Sequence, residues 1–244
     1  MKFLLGIFFL SSYIFVFQYS NKISIIEYGI SNDIELKKDK KEINKNKEII
    51  GNALDKIKET TLQLIFTKEE SIFKKEGGLE VGEEGIKSRL ANVLSGVKGL
   101  YYRNISAKEF LHQKESFSKL FLIDISKQEQ NWTLTKESKM IGEYKCYKAV
   151  LTEKYVTRSG IDNEREIEAW YAPEIPEPYG PLNYGNLPGL ILELTKKRFT
   201  YYAKSIKLNV KDSELKITKP TKGEKLTTIE FNDLIMKLKE TIRF

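Results

Sequence analysis

Alternation of apolar and polar side chains dominates the chain from residue 100 onward. It predicts strands over 100–105, 109–114, 119–125, 131–137, 141–157, 164–171, 190–195, 200–209 and 213–218, separated by turn segments such as Ser116-Phe117-Ser118 and Ser159-Gly160-Ile161-Asp162-Asn163. Short turns between successive strands imply an antiparallel meander. The alternation is cleanest where Glu164, Glu166 and Glu168 take one face and Ile167, Ala169 and Tyr171 the other. Upstream, the β-branched and aromatic run 23–30 predicts a first strand. Leu62, Leu64 and Phe66 then alternate with Gln63, Ile65 and Thr67 in a half-buried strand running toward Phe73.

Three segments change period to that of a helix. Residues 40–58 place Ile49, Ile50, Ala53, Leu54 and Ile57 on one helical face. Ile86, Leu90, Val93, Leu94 and Val97 recur in the same way inside a stretch, Glu76 to Gly99, that carries six glycines. That stretch reads as a loop bearing a short helix over one sheet edge, with a lid over a ligand site as the sharper alternative. Thr227-Thr228-Ile229-Glu230 is a capping-box pattern, and Phe231, Leu234, Ile235, Leu238 and Ile242 behind it predict a C-terminal amphipathic helix. The fold expected is mainly β (α+β): one large curled antiparallel sheet or half-barrel with a few helices on its open side. With 244 residues, 41% of them hydrophobic, one core suffices, so residues 21–244 form a single domain.

One segment breaks every period. The run AWYAPEIPEPYGPLNYGNLPGLILEL at 169–194 holds five of the six prolines, Pro173, Pro176, Pro178, Pro181 and Pro188. Proline fixes φ, lacks an N–H and pushes its predecessor toward extended geometry, so the run is a stiff, mostly extended connection. Leu187-Pro188-Gly189-Leu190 has Pro and Gly in the central positions of a type II turn, and the apolar run from Leu190 to Leu194 leaves it as a strand.

Three blocks, Ile141 to Ala149, Trp170-Tyr171 through Ile175-Pro176 to Gly180-Pro181, and Asn186-Leu187-Pro188-Gly189-Leu190-Ile191, together resemble the signature of the GLPGLI family, named for its own motif. Asn186 stands where that motif has its first glycine, a position asparagine tolerates because it enters left-handed backbone geometry more readily than most residues. The resemblance implies an exported β-rich protein and lends no catalytic residue.

The opening MKFLLGIFFLSSYIFVF sets Lys2 before about fifteen apolar residues, the plan of a secretory leader and short of the roughly 20 needed to span a bilayer. Residues 1–20 are therefore read as a signal peptide, with an uncleaved tether as the alternative because Phe17-Gln18-Tyr19-Ser20 lacks a small-x-small site. Export to the periplasm or outer surface of a Gram-negative-type envelope is the expected address. The net charge of +7 comes from 35 lysines and 6 arginines spread along the chain, without an Arg-rich stripe or an RNA-binding aromatic motif, so nucleic acid is not an expected partner.

The chemistry on offer is sparse. A single cysteine, Cys146, excludes an internal disulfide, and with a single histidine, His112, it supplies two zinc ligands at most. His112 reads as a partly exposed strand residue and Cys146 as a small apolar one. The carboxylates Glu164, Glu166, Glu168 and Glu193 could in principle serve a hydrolase, although each reads more simply as an outward-facing strand residue. The clearer signal is aromatic: Tyr101, Tyr102, Tyr144, Tyr147, Trp170, Tyr171, Tyr184, Tyr201 and Tyr202 flank the signature. Together these readings favour a non-catalytic envelope protein, needing no cofactor or metal, that binds a lipid or hydrophobic peptide on its curved sheet. The binding residues expected are Trp170, Tyr171, Pro181, Pro188, Gly189 and Glu193. The alternative is a structural component that offers the proline run to an envelope partner.

Overall fold

Twelve strands hydrogen-bond into one open sheet in the computed structural model, which describes residues 22–34, 45–77, 86–156, 161–210 and 215–242. The leader expected at 1–20, the start of the helix expected at 40–58 and residues 78–85 of the glycine-rich stretch lie outside the described residues. The strands are β1 (Ile23–Asn32), β2 (Leu62–Phe66), β3 (Glu70–Lys75), β4 (Leu100–Asn104), β5 (Glu109–Ser116), β6 (Lys119–Asp124), β7 (Thr133–Ile141), β8 (Tyr144–Val156), β9 (Asp162–Ala172), β10 (Leu190–Lys196), β11 (Phe199–Val210) and β12 (Glu224–Thr227). Helices α1 (Lys45–Glu59), α2 (Ile86–Ser95) and α3 (Thr228–Ile242) complete the fold.

The order across the sheet is β12-β6-β5-β4-β3-β2-β1-β11-β10-β9-β8-β7. Two local meanders, β1 to β6 and β7 to β11, are joined where β1 lies between β2 and β11. Strand β7 begins nine residues after β6 ends, yet lies ten strand positions away from it. Nine residues reach at most about 32 Å, whereas ten strand spacings on a flat sheet are about 48 Å. The sheet therefore curls, and the connection 125–132 bridges its two flanks.

The hydrophobic pattern explains the filling. On one face, Ile26, Tyr28 and Ile30 of β1 and Leu62, Leu64 and Phe66 of β2 join Ala53, Leu54 and Ile57 of α1 in the main core. Tyr28 is fully buried and donates its hydroxyl to the Ile191 carbonyl at 2.6 Å, tying the middle of β1 to β10. A smaller cluster packs Phe231 of α3 on Phe121, Ile123 and Ile125. The capping box forms as expected, with the Thr227 N–H on Glu230 Oε2 at 2.7 Å and the Glu230 N–H on Thr227 Oγ1 at 3.3 Å.

Three expectations are corrected. The single strand expected from Leu62 toward Phe73 is two, because Thr67 closes a tight turn with its N–H on the Glu70 carbonyl and its hydroxyl accepting from Glu69 and Glu70. Residues 215–218 join no ladder, since both edges of β11 are already occupied by β1 and β10. The chain instead reaches the free edge of β6 and pairs there as β12, in parallel, a departure from the antiparallel meander.

Candidate functional site

The connection from β9 to β10, residues 173–189, is folded into the structure. Ile175, Tyr179, Pro181, Leu182, Asn183, Tyr184 and Leu187 are buried, while Pro173, Pro176 and Pro188 face solvent. Tyr179 packs on Phe66 with ring centroids 5.7 Å apart. A short 3-10 turn at Pro181–Asn183 puts Leu182, Asn183 and then Asn186 at φ of 54°, 68° and 62°. Asn186 thus holds the left-handed geometry that a glycine at this signature position would supply.

Arg103 on β4 fastens this connection. It is 3% exposed, donates through Nη1 to the Asn183 carbonyl at 3.1 Å and through Nη2 to Asn186 Oδ1 at 2.6 Å, and lies 4.3 Å above the Phe110 ring. Burial lowers its pKa to about 10. From the bridging segment, Gln130 donates to the Asn183 carbonyl and accepts the Gly185 N–H, and Trp132 donates to the Gly185 carbonyl at 2.8 Å.

The expected type II turn does not form. The Gly189 N–H bonds the Leu187 carbonyl at 2.8 Å across Pro188, and the Leu190 N–H goes to the Ile175 carbonyl, also at 2.8 Å. The donor that would have closed the turn is captured by the connection itself. Gly189 sits at φ +153°, where a β-carbon would come 2.3 Å from the Ala172 carbonyl oxygen.

Between this connection and the curled sheet lies a cavity of about 760 Å³, lined on one side by Tyr101, His112 and Lys114 and on the other by Glu153, Tyr184 and Lys196. Strands β5 and β8, distant in the sheet order, share its wall because the sheet curls. Gln128, Gln130, Asn131 and Asn183 contribute amides, and Leu151 and Leu182 are among its few apolar contacts.

A four-residue polar cluster forms one side. The Tyr184 hydroxyl donates to Glu153 Oε1 at 2.7 Å and accepts from Lys196 Nζ at 2.7 Å, while Lys196 is also 3.4 Å from Glu153 Oε2. Arg165 of β9 donates its Nε–H to the same Oε2. Burial alone would raise the Glu153 carboxyl, but Lys196, the Tyr184 hydroxyl and Arg165 outweigh it and hold the pKa below the usual carboxylate range. Burial depresses the Lys196 ammonium to about 8 against the pull of Glu153, and it raises the Tyr184 phenol, so the phenol stays protonated.

Facing this cluster, His112 stacks on Tyr101 with centroids 4.0 Å apart and gives its Nε2–H to the Lys98 carbonyl at 2.6 Å. It is 8% exposed, so the expectation of a partly exposed histidine is corrected; the stacked Tyr101 ring and the segment carrying the Lys98 carbonyl take up the space a bare sheet would have left open. Burial, reinforced by the nearby Lys114 charge, lowers its pKa to about 3 and keeps the ring neutral. Lys114 is itself lowered to about 8 by burial and by Lys98, and its ammonium lies 4.1 Å from the centre of the Phe231 ring.

The six residues expected to bind are not gathered into one site. Trp170, 8% exposed and part of the main core cluster, is registered opposite Glu193 across the β9–β10 ladder, where Lys139 pairs with Glu193 at 2.7 Å and lies 4.3 Å over the Trp170 ring. Tyr171 points to the core face and is 6% exposed. Pro181 is buried in the connection, Pro188 is exposed, and Gly189 packs against β9. The Tyr184, Glu153, Lys196 and Arg165 cluster escaped the sequence reading because its members lie on a loop and three strands and each looks like an ordinary strand or loop position. Cys146 is fully buried, its thiol pushed up to about 11 by burial. Among the described residues no three His, Cys, Asp or Glu side chains gather as a metal site, and no helix is long and apolar enough to cross a membrane.

A family model described as "Protein of unknown function (Porph_ging)" matches residues 157–193, which take in β9, the connection and the first four residues of β10. Two solved structures of PNGF-II, in C2 and P21 space groups, are similar at 16% and 15% identity, with TM-scores of 0.51 and 0.52. Each alignment covers 88% of this chain and 33% of the PNGF-II chain, so the likeness spans about one third of that protein's length and establishes the fold alone. No curated protein matches.

Proposed function

We propose that this is an exported, non-catalytic binding protein of the cell envelope, allied to the GLPGLI proteins, which holds a small hydrophilic ligand in the cavity between the β9–β10 connection and the curled sheet. The cavity lining carries the reading: amides, lysines, glutamates and tyrosine hydroxyls outnumber its apolar side chains. The aromatic residues that would have formed a lipid groove are largely spent on packing, with Tyr102, Tyr171, Tyr184 and Tyr201 all under 7% exposed. That favours a polar ligand over a lipid. Groups suited to proton transfer already have partners within the fold, His112 the Lys98 backbone carbonyl and Tyr184 the Glu153 carboxylate, an arrangement that favours holding a ligand over transforming it.

Amide chemical shifts of Asn183, Tyr184, Gly185 and Lys196 in isotope-labelled protein test this, with sorbitol and citrate as hydrophilic probes and laurate as an apolar one. Saturable shifts with a hydrophilic probe and none with laurate are expected. Laurate alone moving these amides, or no probe moving them at millimolar concentration, overturns the reading.

A further inference from the structure

Charge is distributed unevenly around the cavity. Its lining carries three lysines, Lys114, Lys154 and Lys196, against two glutamates, Glu129 and Glu153. Lys154 is matched by Glu164 at 3.7 Å on the exposed rim. Glu153 is shared between Lys196 and Arg165, so the cluster on that wall retains a surplus cation. Across the cavity Lys114 has no carboxylate within 4.0 Å among the described residues; its ammonium lies over the face of Phe231 and feels the positive charge of Lys98. The histidine beside it is neutral and brings no counter-charge.

A desolvated ammonium facing a polar cavity without a counterion is the arrangement an oxyanion completes. Charge-assisted N–H···O⁻ bonds are roughly twice as strong as neutral ones, and an aromatic face under the ammonium holds it without neutralising it. The amides of Gln128, Gln130 and Asn131 nearby suit hydroxyl groups, being able both to donate and to accept. We infer that the cavity takes a small hydroxylated molecule bearing a carboxylate or phosphate, with Lys114 as the residue that receives the anionic group. This inference rests on the polar-cavity reading above and adds to it the sign of the ligand's charge.

Citrate, inorganic phosphate and sorbitol, each titrated into the full chain while the cavity amides are followed, separate the two. Citrate or phosphate saturating at about tenfold lower concentration than sorbitol is expected, as is an affinity for that anion that falls about tenfold in Lys114→Met while Lys114→Arg retains it. Raising sodium chloride from 20 to 200 mM weakens anion binding by wild type and leaves sorbitol binding unchanged, a readout that does not depend on any variant folding. Sorbitol binding as tightly as both anions, or anion affinity indifferent to salt and to Lys114→Met, overturns the charge assignment while leaving the polar cavity standing. If none of the three binds, both readings fail together. Which of citrate and phosphate binds more tightly identifies the anionic group.

Discussion

Acid should unfold this protein partly through one imidazole. His112 has an ordinary pKa of 6.5 when the chain is unfolded and about 3 in the fold, where burial and Lys114 oppose its charge. Below pH 6.5 the unfolded chain therefore binds a proton that the native ring refuses, so stability is fully present above that pH and is lost as pH falls toward 3. The slope is about 1.4 kcal/mol per pH unit, and at pH 4.5 the loss amounts to about 2.7 kcal/mol. His112→Phe preserves a ring to stack on Tyr101 and removes the titration. Its own penalty, the hydrogen bond to the Lys98 carbonyl, is about 1 kcal/mol and independent of pH. Urea unfolding followed by tryptophan fluorescence at half-unit steps from pH 4 to 8 gives both curves. Carboxylates held low in the fold, such as Glu153 and Glu168, weaken both proteins alike in acid and cancel in the difference. The variant should be the less stable at pH 7.5 and the more stable at pH 4.5. Curves that stay parallel across the range would show that the ring takes up its proton in the fold without resistance, and the burial argument would fail.

Arg103→Met should lower stability by about 2–3 kcal/mol in the same urea assay, because the carbonyl of Asn183 and the amide of Asn186 lose a charged donor. Arg103→Lys should not restore it, since one ammonium cannot replace a two-pronged guanidinium; full recovery by lysine would refute the clamp. Gly189→Ala should reduce stability by more than about 2 kcal/mol, given its φ of +153° and the 2.3 Å approach to the Ala172 oxygen, and a loss under about 0.5 kcal/mol would mean the connection yields freely. Cys146 should resist a thiol reagent at pH 8 in the native protein and react at once in urea, since it is fully buried with a raised pKa. Rapid labelling of the native protein would contradict that packing.

Local rules written in adjacent residues carried far into the structure. Alternation located β4 to β6 and β8 to β10 to within a few residues, and the capping box placed α3, because both signals rest on side chains near one another in sequence. Asn186 likewise disclosed a left-handed position. What the chain concealed depends on who the neighbours are. The turn at Thr67 lacks the glycine or proline that marks most turns, and β12 exists only because β6 has an unclaimed edge. Nothing in Phe110-Leu111-His112 tells that the ring will stack on Tyr101 and reach the Lys98 carbonyl. The cavity is less legible still, since Lys114 of β5 and Glu153 of β8 come to line one space only after the sheet has curled.

The position of β1 sets the timetable of assembly. The Asn209 N–H reaches the Ser24 hydroxyl across 185 positions of sequence, and Ile23 is registered against Val210. Strand β1 must therefore wait, one edge unsatisfied, until β11 has been made. Each meander can zip from contacts close in sequence, but the seam between them requires closing a loop of some 185 positions, the step that topology makes slow. Until then the apolar residues Ile26, Tyr28 and Ile30 stand at an open edge. The growing chain is at its most adhesive during that interval.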